Sequence, residues 1–95
     1  MNKKMMQQLQ DLQREMNETQ ERLLMTEFEG KASGVKVIML GSHQVVDINI
    51  DEDLFEDKDM LQDAILLAIN DAVENVRKTT NDEMSKFTAG LGLRF

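Results

Sequence analysis

A single thin line of apolar side chains runs through the first 24 residues, and it rules out most of the ways this chain could fold. Met5, Leu9, Leu12, Met16 and Leu23, with Thr19 filling the one gap, follow each other at steps of 4, 3, 4, 3 and 4. That is heptad spacing, the mark of a helix packed along one seam. The Gln, Glu, Arg, Leu and Met residues around it are good helix formers. The spacing therefore predicts a helix over 1–24, about 35 Å long at the usual rise per residue. So narrow a seam cannot close a core, and another helix must lie along it. Fewer than three heptads is marginal for self-association, so a helix of the same chain is the preferred partner.

The middle of the chain changes period. Thr26 and Phe28 alternate with Glu27 and Glu29, Val35 to Leu40 is a second extended run, and Val46, Ile48 and Ile50 alternate with Val45, Asp47 and Asn49. Two-residue alternation is the pattern of half-buried strands. Gly30-Lys31-Ala32-Ser33-Gly34 and Gly41-Ser42-His43 read as turns. Such short connections suit an antiparallel meander over 24–50. Three strands leave two open edges, which must be covered or paired with another chain.

Residues 51–63 then hold seven carboxylates against Lys58 alone, a composition suited to capping and opening a helix. The helix is expected over 57–87. Its stripe of Met60, Leu61, Ala64, Ile65, Leu67, Ala68, Ile69, Ala72, Val73 and Val76 is wide enough for a sheet or for more than one neighbour. After Thr79 the stripe thins to one face ending at Met84 and Phe87, where the first helix can return antiparallel. Residues 88–95 form a Gly-containing tail. The expected fold class is α+β, one domain over 1–95: helix, three-stranded antiparallel meander, long C-terminal helix. Val46, Ile48, Ile50 and part of Ala64–Val73 make the expected buried set.

Composition narrows the chemistry. A chain of 95 residues without cysteine has no disulfide to support a small core. It also has no proline, tryptophan or tyrosine, and one histidine, His43. Cys–His and Ser–His–Asp nucleophiles are disfavoured, and His43 in a turn, with no visible orienting partner, reads as solvated. The aromatic platforms that stack single-stranded bases are missing. A calcium loop started at Asp47 meets Glu52 where glycine belongs and Lys58 where the last glutamate belongs. Started at Asp51, it meets Phe55 at a ligand position. No metal, cofactor or catalytic group is therefore assigned, and a non-enzyme is expected. No apolar run approaches a membrane span and the N-terminus lacks a secretory pattern, so no membrane association and a cytoplasmic location are expected.

Net charge is −7, which by itself argues against nucleic acid. The positions of the charges argue differently. Residues 1–8 contain Lys3 and Lys4 and no acid, residues 84–95 contain Lys86 and Arg94 and no acid, and the chain between them is −11. If the two helices pair antiparallel, both basic ends fall at one tip, away from an acidic body. They can serve there for phosphate contact, or simply as solubilising ends.

Val35-Lys36-Val37 through Gly41, followed by Val45-Val46 and Ile48-Asn49-Ile50-Asp51, resembles the strand, Gly turn and strand of the YbaB/EbfC nucleoid-associated proteins. Met60-Leu61-Gln62-Asp63 followed by Ala68-Ile69-Asn70-Asp71-Ala72 is similar to that family's helix motif, and the likeness covers nearly the whole chain. The resemblance implies a homodimer joined through the sheets, with helical hairpins projecting like the arms of tweezers. It implies binding of double-stranded DNA by those arms with little sequence preference, in the bacterial nucleoid. On this sequence the arm candidates are Lys3, Lys4, Arg14, Lys78, Lys86 and Arg94. The competing expectation is a protein-interaction module, an adaptor for a DNA-repair or other cytoplasmic partner.

Overall fold

The computed structural model describes residues 2–90. Helix α1 (Lys3–Met25) leads into strands β1 (Glu27–Ala32), β2 (Val35–Leu40) and β3 (Val45–Ile50). A short 3₁₀ turn (Glu52–Glu56) then precedes the long helix α2 (Lys58–Gly90). The sheet order is β1-β2-β3 with both pairs antiparallel, the expected meander.

Small residues on α2 bring it down onto the sheet. Ala64, Ala68, Ala72 and Val76, each four apart and so on one face, pack against Val35, Val37 and Met39 of β2, with Leu54 of the 3₁₀ turn joining the cluster. Ile65, Ile69 and Val73 flank this stripe half-buried. Gly30 belongs to β1, not to a turn as the sequence suggests. A Cβ there would overlap the Ala68 carbonyl and lie 2.7 Å from the Ala72 Cβ. The glycine marks a close backbone approach, and the turn shrinks to Ser33 and Gly34, the latter at φ +88°.

The two sheet edges differ. Along β1, the Asn75 side chain donates to the Glu29 carbonyl at 2.7 Å, and the Asp71 carboxylate accepts from the Lys31 N–H at 3.0 Å. These side chains blunt that edge. Among the described residues the β3 edge has no such cover. Ile48 pairs with the buried Val37 and Ile50 with the buried Val35, and directly paired side chains share a face. The core face therefore continues onto β3, but α2 packs mainly on β1 and β2. Val46 and Ile48, expected to be buried, are exposed within one chain, Ile48 at 42%, and Ile50 is half-buried. The buried strand is β2.

The β2–β3 turn locks the base of α1. The Gly41 N–H donates to the Thr26 carbonyl and the Ser42 N–H to the Leu24 carbonyl, at 3.0 and 3.2 Å. A Cβ at Gly41 would overlap the Leu23 carbonyl. His43 completes the turn at φ 71°, a left-handed conformation costing a non-glycine residue about 1 kcal/mol. His43→Gly is expected to raise the melting temperature by several degrees at equal protein concentration, and His43→Val to lower it.

Two boundaries move from the sequence expectation. Asp57 caps α2, its carboxylate accepting from the Met60 N–H at 3.1 Å, and the 3₁₀ turn ahead of it is a separate element. The helix also runs past Phe87 through residues 88–90. Residues 91–95, the remainder of the expected tail, lie outside the described residues.

Candidate nucleic-acid interface

Helix α1 returns along the second half of α2. Arg22 approaches Glu83 at 3.9 Å, and Leu23 and Thr80 line one shallow pocket. Thr19 and Leu23 are buried in this contact, and Leu12 and Met16 are half-buried. The inner half of the seam is thus used as its spacing predicts. Its outer half is not: Met5 and Leu9 are exposed, as is Met6 beside them. The two helices form an arm on a molecule with extents of 68 × 23 × 11 Å.

Charge separates along that long axis. The hairpin residues, 1–24 and 77–90, carry seven Lys or Arg against six Asp or Glu. The body, 25–76, carries three against twelve. The arm is +1 and the body −9, so the negative potential is concentrated on the body and nearly cancelled along the arm.

The six candidates stand in different surroundings. Lys3 and Lys4 occupy the first turn of α1, which holds no acid and is capped by Asn2, whose side-chain oxygen accepts from the Lys4 N–H at 3.0 Å. Among the described residues no carboxylate lies within ion-pairing distance of Lys3, Lys4 or Lys78. Arg14 sits between Asp11 at 3.3 Å and Glu18 at 3.9 Å, and Lys86 reaches Glu83 at 3.2 Å. Arg94 lies outside the described residues. Two arm arginines not singled out from sequence, Arg22 and Arg77, are likewise paired, with Glu83 and Glu74.

Antiparallel pairing does not bring Lys86 to Lys3 and Lys4. Counting from the Arg22–Glu83 contact, Lys86 lies about 24 Å short of Lys3 along the arm, and Lys78 about 36 Å short, at 1.5 Å per residue. The free lysines mark the tip and the base of the arm, and Lys86 lies between. The tip carries a local oddity. Two lysines at a helix N-terminus oppose the positive end of the dipole, at about 0.3–1 kcal/mol each. Good local design would place acids there. The outcome is a concentrated positive potential on an exposed end.

Elsewhere the surface offers little chemistry. His43 is exposed in its turn. Among the described residues no three His, Asp or Glu side chains converge as metal ligands would, and no helix is long and apolar enough to cross a membrane.

Comparison with known proteins matches this architecture. The sequence profile described as the YbaB/EbfC DNA-binding family matches residues 1–91. A protein named "Nucleoid-associated protein" from Ligilactobacillus salivarius (strain UCC118) is 40% identical over 91 residues, covering 92% of this chain and 88% of its own. A protein of the same name from Hahella chejuensis (strain KCTC 2396) is 41% identical over 92 residues, covering 94% and 85%. One from Lysinibacillus sphaericus (strain C3-41) is 48% identical over 73 residues, covering 73% and 70%. The crystal structure of an uncharacterized protein from Helicobacter pylori superposes with a TM-score of 0.71 at 26% identity, over 90% of this chain and 96% of that one.

Proposed function

The chain belongs to the YbaB/EbfC DNA-binding family, and from that premise we propose that it is a homodimeric, non-enzymatic nucleoid-associated protein of the bacterial cytoplasm. Its arms hold duplex DNA through phosphate contacts with little sequence preference. The observation that carries this reading is the charge separation: a nearly neutral arm, whose Lys3, Lys4 and Lys78 have no carboxylate in pairing distance among the described residues, joined to a body of −9.

The open β3 edge supports the dimer. Antiparallel pairing of β3 with its copy turns two three-stranded sheets into one of six strands. It satisfies the unpaired backbone groups and extends the core face over Ile48 and Ile50. An isologous contact of this kind closes by a two-fold axis and leaves both arms projecting. DNA then meets four tip lysines and two base lysines, and their binding releases counterions from the phosphates. Contacts to phosphate position a protein without reading bases.

Lys3→Gln, Lys4→Gln and Lys78→Gln together test this reading. Mobility shift on several unrelated duplexes is expected to show a loss of at least about tenfold on each, because phosphate contacts are sequence-independent. The dimer and its melting temperature should stay nearly unchanged, since exposed lysines contribute little to stability. Unchanged affinity would move the DNA surface to Arg14, Lys86 and Arg94. No shift by the unsubstituted protein at low salt would favour the adaptor reading.

A further inference from the structure

The acidic end of the body carries a large apolar group that neither fold nor DNA contact uses. In the 3₁₀ turn Leu54 is buried, but its neighbour Phe55 is 64% exposed. Exposed Glu52, Asp53 and Glu56 surround it, and exposed Met60 follows in the first turn of α2. A partner for this surface must offer apolar side chains together with cations. The tip of α1 offers both. Met5, Met6 and Leu9 fall within one 100° arc of the helix, all exposed, with Lys3 and Lys4 beside them. Met5 and Leu9 are the part of the seam that runs on beyond the half-buried Leu12 and Met16.

We propose that these two surfaces dock on each other between copies of this chain, the arm tip of one molecule seating on the Phe55 surface of another. They cannot meet within one chain. The 3₁₀ turn sits against the start of α2, and the tip lies at the opposite end of the 68 Å axis. The contact joins unlike surfaces, so it is heterologous and does not close by a two-fold axis, unlike the β3 edge. Each copy gives a tip and receives one, and assembly propagates. Carboxylates and phosphates compete for the same lysines, so DNA displaces the contact. Salt weakens it too, because exposed charges are screened beyond about 8 Å at physiological ionic strength.

Sedimentation velocity of the full chain tests this. At low salt the average sedimentation coefficient is expected to rise with concentration above that of the dimer, and to fall back when salt or duplex DNA is added. Phe55→Ser, and separately Lys3→Glu with Lys4→Glu, should each abolish the rise while the dimer remains. Mixing the Lys3→Glu, Lys4→Glu protein with a Glu52→Lys, Asp53→Lys, Glu56→Lys protein should restore association that neither shows alone. A coefficient independent of concentration in the unsubstituted protein overturns the proposal. So does a rise that survives these substitutions, or a Phe55→Ser protein that sediments as a monomer, which would place Phe55 in the dimer interface. DNA binding is read separately by mobility shift, so the two readings fail independently.

Discussion

Gly30→Val is expected to abolish cooperative folding. At Gly30 the β1 backbone passes directly beneath α2, and any Cβ overlaps the Ala68 carbonyl and crowds Ala72. Those atoms belong to helix backbone and to a buried alanine, so no flexible side chain can swing away. Lifting α2 would open its contact with Val35, Val37 and Met39. It would also pull Asn75 and Asp71 from the β1 backbone groups they satisfy. A loss of about 4 kcal/mol or more is expected, the size associated with overpacking combined with broken buried contacts. Against a total of about 5–15 kcal/mol that leaves little or nothing. Circular dichroism melts check it. A sharp transition near that of the parent protein would mean that α2 does not rest on β1 as described.

The second large effect concerns the open edge. Val46→Lys with Ile48→Lys should convert the dimer into a monomer, read by sedimentation equilibrium as a fall to 10.9 kDa. Both side chains are exposed within one chain, so the monomer loses little internal packing. Lysines on an edge strand oppose strand addition, because pairing would bring like charges together across the two-fold axis. DNA affinity should fall with the dimer. Two arms on one body engage the same duplex at an effective concentration in the millimolar range, an advantage of about 100-fold or more over one arm. A doubly substituted protein that remains dimeric would place the interface elsewhere, with Leu66 and Leu67, both exposed on α2, next to be tested.

Much of this architecture could be read from residue order, because periodicity reports which side chains share a face. Thr19 and Leu23 lie against α2 as the heptad seam demands, and the stripe from Ala64 to Val76 meets a sheet. Periodicity does not report what covers a face. Val46 and Ile48 alternate as core residues do, yet both are exposed within one chain, and an irregularity in the β2–β3 register sets Val45, not Val46, opposite the buried Met39. Gly30 looked like part of a turn because a glycine in a run of small residues shows the same signal whether the chain bends or another backbone passes close. The 3₁₀ turn was hidden inside the acidic block, where Leu54 and Phe55 are adjacent but only the first is buried.

For the candidate site, the order of basic residues gave the arm but not the state of each charge. The Lys86–Glu83 and Arg14–Glu18 pairs follow helical spacing, and they could have been discounted from sequence. The contact of Arg22 with Glu83 joins two helices far apart in the chain, and only the packed hairpin reveals it. The same packing separates Lys86 from the tip, because α1 overhangs the end of the described part of α2.

The salt dependence of binding of the unsubstituted dimer to one duplex tests the central claim most directly. With Lys3, Lys4 and Lys78 from both protomers on phosphates, the logarithm of affinity should fall against the logarithm of salt with a slope of up to about −5. The affinity should be measurable at low salt and nearly the same on an unrelated sequence. No binding at low salt, or binding whose strength scarcely changes with salt, would contradict an electrostatic DNA grip by the arms.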